Sequence, residues 1–245
     1  MRRFFFTPES GEQSRAKLVG GEAHHIRNVL RLETGDAIIV FDGQGAEYKA
    51  IIVGFGDDGV HIELVERLMS RTESALNLTL AQGVLKDKKM DHLVRYLTEL
   101  GVQRWIPFKA KRSVPVLNEH RSQTRRQRWQ RISLEAVKQC RRSQPMAIDG
   151  VISFEEALGL SEPFGLKLVF WEKEEAMLIS KLSAYVPDKG VFVMVGPEGG
   201  FDEAEVRAAR QKGFASVGLG PRILRAETAT LTVCALLQYV FGDLG

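Results

Sequence analysis

The 245-residue sequence predicts an α/β fold, a mostly parallel sheet covered by helices on both faces, with a small β-rich unit ahead of it. Three observations lead there. The first seventy residues carry short β-branched or alternating runs separated by Gly/Asp turns. From Leu76 onward, short apolar runs alternate with stretches of helical period. In that second part a run such as VFVMV (191–195) has no polar face, as a strand buried on both sides requires.

In the leading unit, 37–41 (AIIVF) is a strand and Asp42-Gly43-Gln44-Gly45 a turn. Residues 48–55 form a second strand, Gly56-Asp57-Asp58-Gly59 turns the chain again, and 60–64 alternates with period two. Short strands joined by tight turns suggest a compact barrel. Before them, 24–32 (HHIRNVLRL) reads as an amphipathic helical stretch with Arg27 and Arg31 toward solvent. A polar connector, 70–74, separates this unit, residues 1–70, from a second domain over 75–245. There, strands are expected at 76–84, 104–108, 166–171, 191–195 and 216–219. Helices are expected at 87–100, 121–142, 174–184, 202–212 and 225–241. In sheets of this kind, ligands sit beyond the carboxyl ends of the strands, which points to the loops after Trp171, Val195 and Leu219.

Composition bounds the function. A hydrophobic fraction of 44% and a charged fraction of 27% describe an ordered globular chain. Two cysteines, Cys140 and Cys234, are too few for a disulfide framework and suit a reducing compartment. The opening MRRFFF stops at Thr7-Pro8, short of a signal peptide, and the longest apolar stretch, 231–241, is too short to span a bilayer. A soluble, cytoplasmic protein is expected. Net charge is +3, yet residues 104–142 carry +10, leaving −7 for the rest. Such asymmetry marks a face presented to a polyanion, although a solvated arginine-rich helix would give the same count.

Two loops carry the chemistry. Gly196-Pro197-Glu198-Gly199-Gly200-Phe201 leads into Asp202, which with Glu205 matches a capping box, while Phe201 and Val206 match a hydrophobic staple. Its glycines permit close approach of the backbone to a ligand; a bare strand-to-helix turn is the alternative. In the second loop, 219–229 (LGPRILRAETA), Arg222, Arg225 and Glu227 crowd a turn that opens a helix. A local surface ion pair would be the bland account of those charges. No G-x-G-x-x-G, Walker A or G-x-S-x-G motif is present, no Cys/His spacing suits a metal, and none of the five histidines lies in these loops.

At GPEGGF and LGPRILRAETA the sequence resembles the RsmE family of 16S rRNA (uracil-N3)-methyltransferases, within the SPOUT superfamily. HHIRNVLRLETGD and FDGQGAEYKA resemble that family's PUA-like RNA-binding domain, and KDKKMDHLVRYLTELGVQRWIPF and EAVKQCRRSQP its middle part. The resemblance implies a PUA-like β-barrel followed by a SPOUT domain with a C-terminal trefoil knot, a homodimer, and 16S rRNA within the small ribosomal subunit as partner. It implies S-adenosyl-L-methionine as cofactor, held by Trp171, Gly196, Pro197, Glu198, Gly199, Leu219, Gly220, Ile223, Leu224 and Thr228, and no metal. Among the charged loop residues, Arg225 is assigned to the target base, Glu198 to the cofactor loop, and Glu198 or Glu227 to accepting a proton. Arg27, Arg31, Arg112, Arg121, Arg125, Arg126, Arg128, Arg141, Arg142 and Arg222 are assigned to RNA, which implies steeply salt-dependent binding. A related enzyme acting on another RNA position, a non-catalytic ribosome-assembly factor and a metabolite-binding α/β protein are the competing readings.

Overall fold

The computed structural model describes residues 2–8, 14–69, 72–86, 88–113, 119–184 and 187–245, the side chains of 119–121, 180, 183 and 184 excepted. The chain divides into two compact units, Met1–Glu73 with Val137–Pro145, and Ser74–Ala136 with Met146–Gly245.

The first unit is built on β1 (Arg3–Phe5), β2 (Arg15–Leu18), β3 (Ala37–Phe41), β4 (Glu47–Gly56) and β5 (Gly59–Leu68). Their order is β1-β3-β4-β5-β2, antiparallel except where β1 runs parallel to β3. The edge strands β1 and β2 do not pair with each other among the described residues, so strand pairing leaves the expected barrel unclosed. The β3–β4 turn is held by Asp42, whose Oδ1 accepts from the Gln44 and Ala46 N–H groups at 2.7 and 3.0 Å. Alternate residues of these strands, among them Ile38, Val40, Ile52, Val60 and Ile62, fill one core with Phe4, Leu18 and Ile26. The expected helix begins earlier, as α1 (Gly20–His24), and continues as a π-helical turn (His25–Leu30) that stops at Arg31 with a left-handed φ of 52°.

Sequence reading missed what ties residues 137–145 to this unit. Glu73 accepts from the Ser143 and Gln144 N–H groups at 2.7 and 3.0 Å and from Arg142 Nε at 2.9 Å. Arg3 donates to the Arg142 carbonyl at 2.9 Å, and Thr72 to that of Arg141 at 2.7 Å. Arg142, assigned above to phosphate, is therefore a buried brace, its side chain 4% exposed. Arg142→Ala is expected to cost about 2 kcal/mol by stranding part of the Glu73 carboxylate. Thermal unfolding checks this; an unchanged midpoint would restore Arg142 to the RNA-facing set.

The second unit is a seven-stranded sheet in which every recorded pairing is parallel: β6 (Leu78–Gly83), β7 (Arg104–Lys109), β8 (Ala147–Ile148), β9 (Ile152–Ser153), β10 (Leu166–Phe170), β11 (Val191–Val195) and β12 (Ala215–Val217). The order is β12-β10-β11-β6-β7-β8, with β9 also pairing β7. Strand alternation splits the apolar residues between two cores. Val191, Val193 and Val195 face one with Leu80, Leu168 and Trp105; Phe192 and Met194 face the other with Ala81, Val169 and Phe108. That is why VFVMV shows no polar side. Helices α2 (Lys89–Glu99) and α6 (Ala226–Phe241) cover the first core, joined by Trp129 of α3 (Glu119–Cys140). Helices α4 (Phe154–Gly159) and α5 (Glu203–Gln211) cover the second.

The expected capping box is present: Asp202 Oδ1 accepts from the Ala204 N–H at 3.0 Å and Glu205 from the Asp202 N–H at 2.8 Å. Phe201 and Val206 are both buried in the second core. One expectation fails. Residues 174–184 do not form a helix throughout; only Ile179–Ala184 coil, as a 3₁₀ turn. Leu178 instead bridges Gly218 in parallel, and the Gly218 N–H donates to the Met177 carbonyl at 2.8 Å. Gly218 permits this approach, because a Cβ there would lie 2.1 Å from the Glu174 carbonyl oxygen. Among the described residues no helix is long and apolar enough to cross a membrane.

Candidate functional site

Strands β10, β11 and β12 end side by side, and their last residues, Phe170, Val195 and Val217, form the floor of a cavity of about 450 Å³. That volume lies within the range of small-molecule sites, roughly 300–1,000 Å³. Trp171 and Glu172 after β10, Gly196 to Phe201 after β11, and Leu219, Gly220 and Arg222 to Ala226 after β12 make its walls. Gly200 holds φ at 65°, and a Cβ on it would fall 2.7 Å from Glu172 Oε1. At Gly83, the end of the neighbouring β6, a Cβ would fall 2.6 Å from the Pro197 nitrogen, so this loop can lie against the sheet only over a glycine.

Charge is arranged at the rim. Lys89, the first residue of α2, sits 3.2 Å from Glu198 Oε1 and 3.3 Å from Glu227 Oε2. The same Glu198 oxygen accepts from the Lys86 N–H at 3.0 Å. Burial works against the Glu198 charge, but the backbone N–H groups of Lys86 and of Glu198 itself, together with Lys89, hold its carboxyl below the usual range. Burial likewise opposes the Lys89 ammonium, and the two glutamates outweigh it and raise its pKa. Arg222 and Arg225, by contrast, are exposed and pair with no acid among the described residues. The site thus offers glycine-lined backbone, an apolar floor and two uncommitted cations.

A family model for an RNA methyltransferase domain matches residues 72–238, and one for an RNA methyltransferase PUA domain matches residues 19–65. The ribosomal RNA small subunit methyltransferase E of Bacillus subtilis is 34% identical over 247 residues, 98% of this chain and 96% of its own length. The chain belongs to the ribosomal RNA small subunit methyltransferase E family. Its Aquifex aeolicus member is 34% identical over 226 residues, covering 89% of this chain and 91% of that one. The Neisseria gonorrhoeae member, solved bound to S-adenosyl methionine, is 31% identical with a TM-score of 0.88 over 100% of both chains.

Among the residues assigned to cofactor in this family member, Trp171, Gly196, Pro197, Glu198, Gly199, Leu219, Gly220, Ile223 and Leu224 all line the cavity. Trp171 is braced by Lys173 and Arg210, each 5.8 Å from its ring. Ile223 stands 84% exposed at the mouth. Thr228 does not line the cavity; one turn into α6, it faces solvent. Of the proposed catalytic residues, Arg225 and Glu198 border the cavity, and Glu227 reaches its rim only through Lys89.

The RNA-assigned arginines separate by partner. Arg27 donates to the Gly56 and Gly59 carbonyls and lies 5.6 Å over the Phe55 ring, bracing the β4–β5 turn. Arg112 donates to the Gly199 carbonyl at 3.1 Å, and so steadies the loop after β11. Arg126 caps the Ile148 carbonyl at 2.8 Å, and Arg128 pairs with Asp91 at 2.9 Å. Arg125 is half-buried, and the side chain of Arg121 lies outside the described residues. Arg31 and Arg141 remain exposed, each with left-handed backbone (φ 52° and 67°). Lys89 and Glu172 were missed. Lys89 follows β6, so the strand-end rule applied to that strand would have found it.

Proposed function

We propose that this chain transfers the methyl group of S-adenosyl-L-methionine to N3 of a uridine in the 16S rRNA of the small ribosomal subunit, in the cytoplasm. The observation that carries this reading is the cavity where β10, β11 and β12 end, glycine-lined within and flanked by the uncommitted Arg222 and Arg225. The residues present suit the cofactor: Gly83, Gly196 and Gly200 let the loop after β11 pack closely against the strand end and against itself, and Leu219, Leu224 and Ala229 offer apolar contact for adenine. We further propose a homodimer, a PUA-like RNA-binding domain over 1–70 preceding a SPOUT domain over 75–245, and a C-terminal trefoil knot. The close passage of 174–178 against Gly218 supports the threading.

When bound, the cofactor supplies a methyl carbon carried on a sulfonium sulfur. The chain's task is to hold a uracil N3 in line with it, and such orientation is worth up to about 7–11 kcal/mol. A uridine in folded RNA must first be unstacked, at a cost of a few kcal/mol, which RNA contacts elsewhere on the chain offset. The uracil N3 carries a proton. Glu198 and Glu227 are both committed to Lys89, so neither is placed as the base. Arg225, with Arg222 beside it, stabilises the negative charge that spreads onto the uracil oxygens as that proton leaves to solvent.

The test is transfer of labelled methyl from S-adenosylmethionine to unmodified small ribosomal subunits, followed by nucleoside analysis. Label is expected in 3-methyluridine. Label in another nucleoside would move the target, and no label together with no cofactor binding would favour an assembly factor.

A further inference from the structure

Lys89 reaches carboxylates from two other segments. It follows β6; Glu198 belongs to the loop after β11; Glu227 belongs to the first turn of α6. Each of these segments contributes to the cavity lining, through Lys89, residues 196–201 and Ala226, and the same Glu198 oxygen also takes the Lys86 N–H. We propose that Lys89 is a positioning residue for the cofactor: its ammonium fixes the loop after β11 against the entry of α6, and it plays no part in proton transfer. The proposal rests on reading the cavity as the S-adenosylmethionine site.

Three features carry it. The first is stoichiometry. One ammonium has three donors, and here two carboxylates on separate segments share it, so its loss leaves two like charges facing each other across the cavity rim. That repulsion would drive apart the walls that must meet around a ligand. The second is location. Lys89, Glu198 and Glu227 are each about one-quarter to one-third exposed and belong to neither apolar core, so the fold does not depend on them as it does on Trp105 or Val193. An isolated pair at this exposure would be worth little, but a shared cation joining three segments acts as a network. The third is direction. Glu198 points back to Lys86 and Lys89, and Arg112 donates to the Gly199 carbonyl, so the loop is clamped at consecutive residues.

The experiment compares wild type, Lys89→Met and Lys89→Arg by calorimetric titration with S-adenosylmethionine, thermal unfolding, and kinetics on small subunits. Lys89→Met keeps the apolar stem and is expected to raise the cofactor Kd tenfold or more, roughly 1.4 kcal/mol. At saturating cofactor its kcat is expected within about threefold of wild type, which is the signature of lost ground-state positioning. Lys89→Arg keeps the charge and is expected to restore the Kd to within about threefold. Adding Glu198→Gln to Lys89→Met is expected to recover part of the affinity, because it removes one of the facing charges; a mere structural brace would only worsen. A Kd for Lys89→Met within about twofold of wild type would overturn the proposal. So would a collapse of kcat at unchanged Kd, or an arginine variant as impaired as the methionine one. Wild type that bound no S-adenosylmethionine would overturn the cofactor reading itself, a result separate from any effect of Lys89.

Discussion

Arg225→Ala is expected to lower kcat/KM for methyl transfer by about 100- to 1,000-fold, the range seen when a preorganised donor to a developing anion is removed. The cavity's charged lining consists of Lys89, Glu172, Glu198, Arg222 and Arg225. Lys89 and Glu198 are committed to each other, and Glu172 carries the wrong sign to stabilise an anion. Arg222 and Arg225 remain. Arg225 stands at the N-cap of α6 with extended backbone (φ −63°, ψ 150°), immediately before Ala226, which lines the cavity. Its backbone is thus set at a helix start, where the unpaired N–H groups add to a positive potential. Because the side chain supports no core, the variant is expected to unfold at the wild-type temperature and to bind S-adenosylmethionine within about threefold, with the loss appearing in kcat. Arg225→Lys keeps the charge but not the planar fork and is expected to recover only part of the rate. Turnover of Arg225→Ala within about twofold of wild type would remove Arg225 from the mechanism.

The sheet was legible because burial on both faces leaves a mark that a single sequence cannot hide. VFVMV has to be a strand between two apolar layers, and its alternate residues do divide between the two cores. The start of α5 was legible for a different reason: Asp202 and Glu205 satisfy N–H groups locally, with no help from the fold. The loops after β11 and β12 were found from strand-end topology and glycine content together. Failures came where a residue's partner lies far along the chain. Residues 174–178 have helical composition, yet the Met177 carbonyl accepts from the Gly218 N–H and Leu178 bridges Gly218, far along the chain. Arg142 belongs to a basic run, and only the position of Glu73 reveals that it is buried. Lys89 fell inside a stretch read only as helix, 87–100, because nothing local shows that two glutamates, 109 and 138 residues later, converge on it. Charge counts locate a basic stretch, but they do not say which arginines the fold consumes.

Gln82→Leu is expected to destabilise the chain by about 2–5 kcal/mol and to weaken S-adenosylmethionine binding at the same time. Gln82 is a fully buried polar residue on the central strand β6. Its amide nitrogen donates to the Gly83 carbonyl at 3.1 Å and to the Gly196 carbonyl at 3.2 Å. Its oxygen accepts from the Thr230 hydroxyl of α6 at 2.5 Å. One amide therefore joins the end of β6, the first residue of the loop after β11 and the second turn of α6. Leucine has nearly the right volume, so the cost is not a cavity but two buried carbonyls without donors, each worth about 1–3 kcal/mol. Thr230→Val is the control. The hydroxyl also lies 2.8 Å from the Ala226 carbonyl, and its removal leaves the Gln82 donors in place, so about 1 kcal/mol is expected. Chemical denaturation gives the stability of both variants, and titration gives the Kd. A double mutant whose cost falls clearly below the sum of the two would show that the residues act as one network. If Gln82→Leu unfolded within about 0.5 kcal/mol of wild type, the polar core of this sheet would be ordinary packing. If it lost stability but kept its cofactor affinity, the Gln82 amide would support the fold without setting the geometry of the loop after β11.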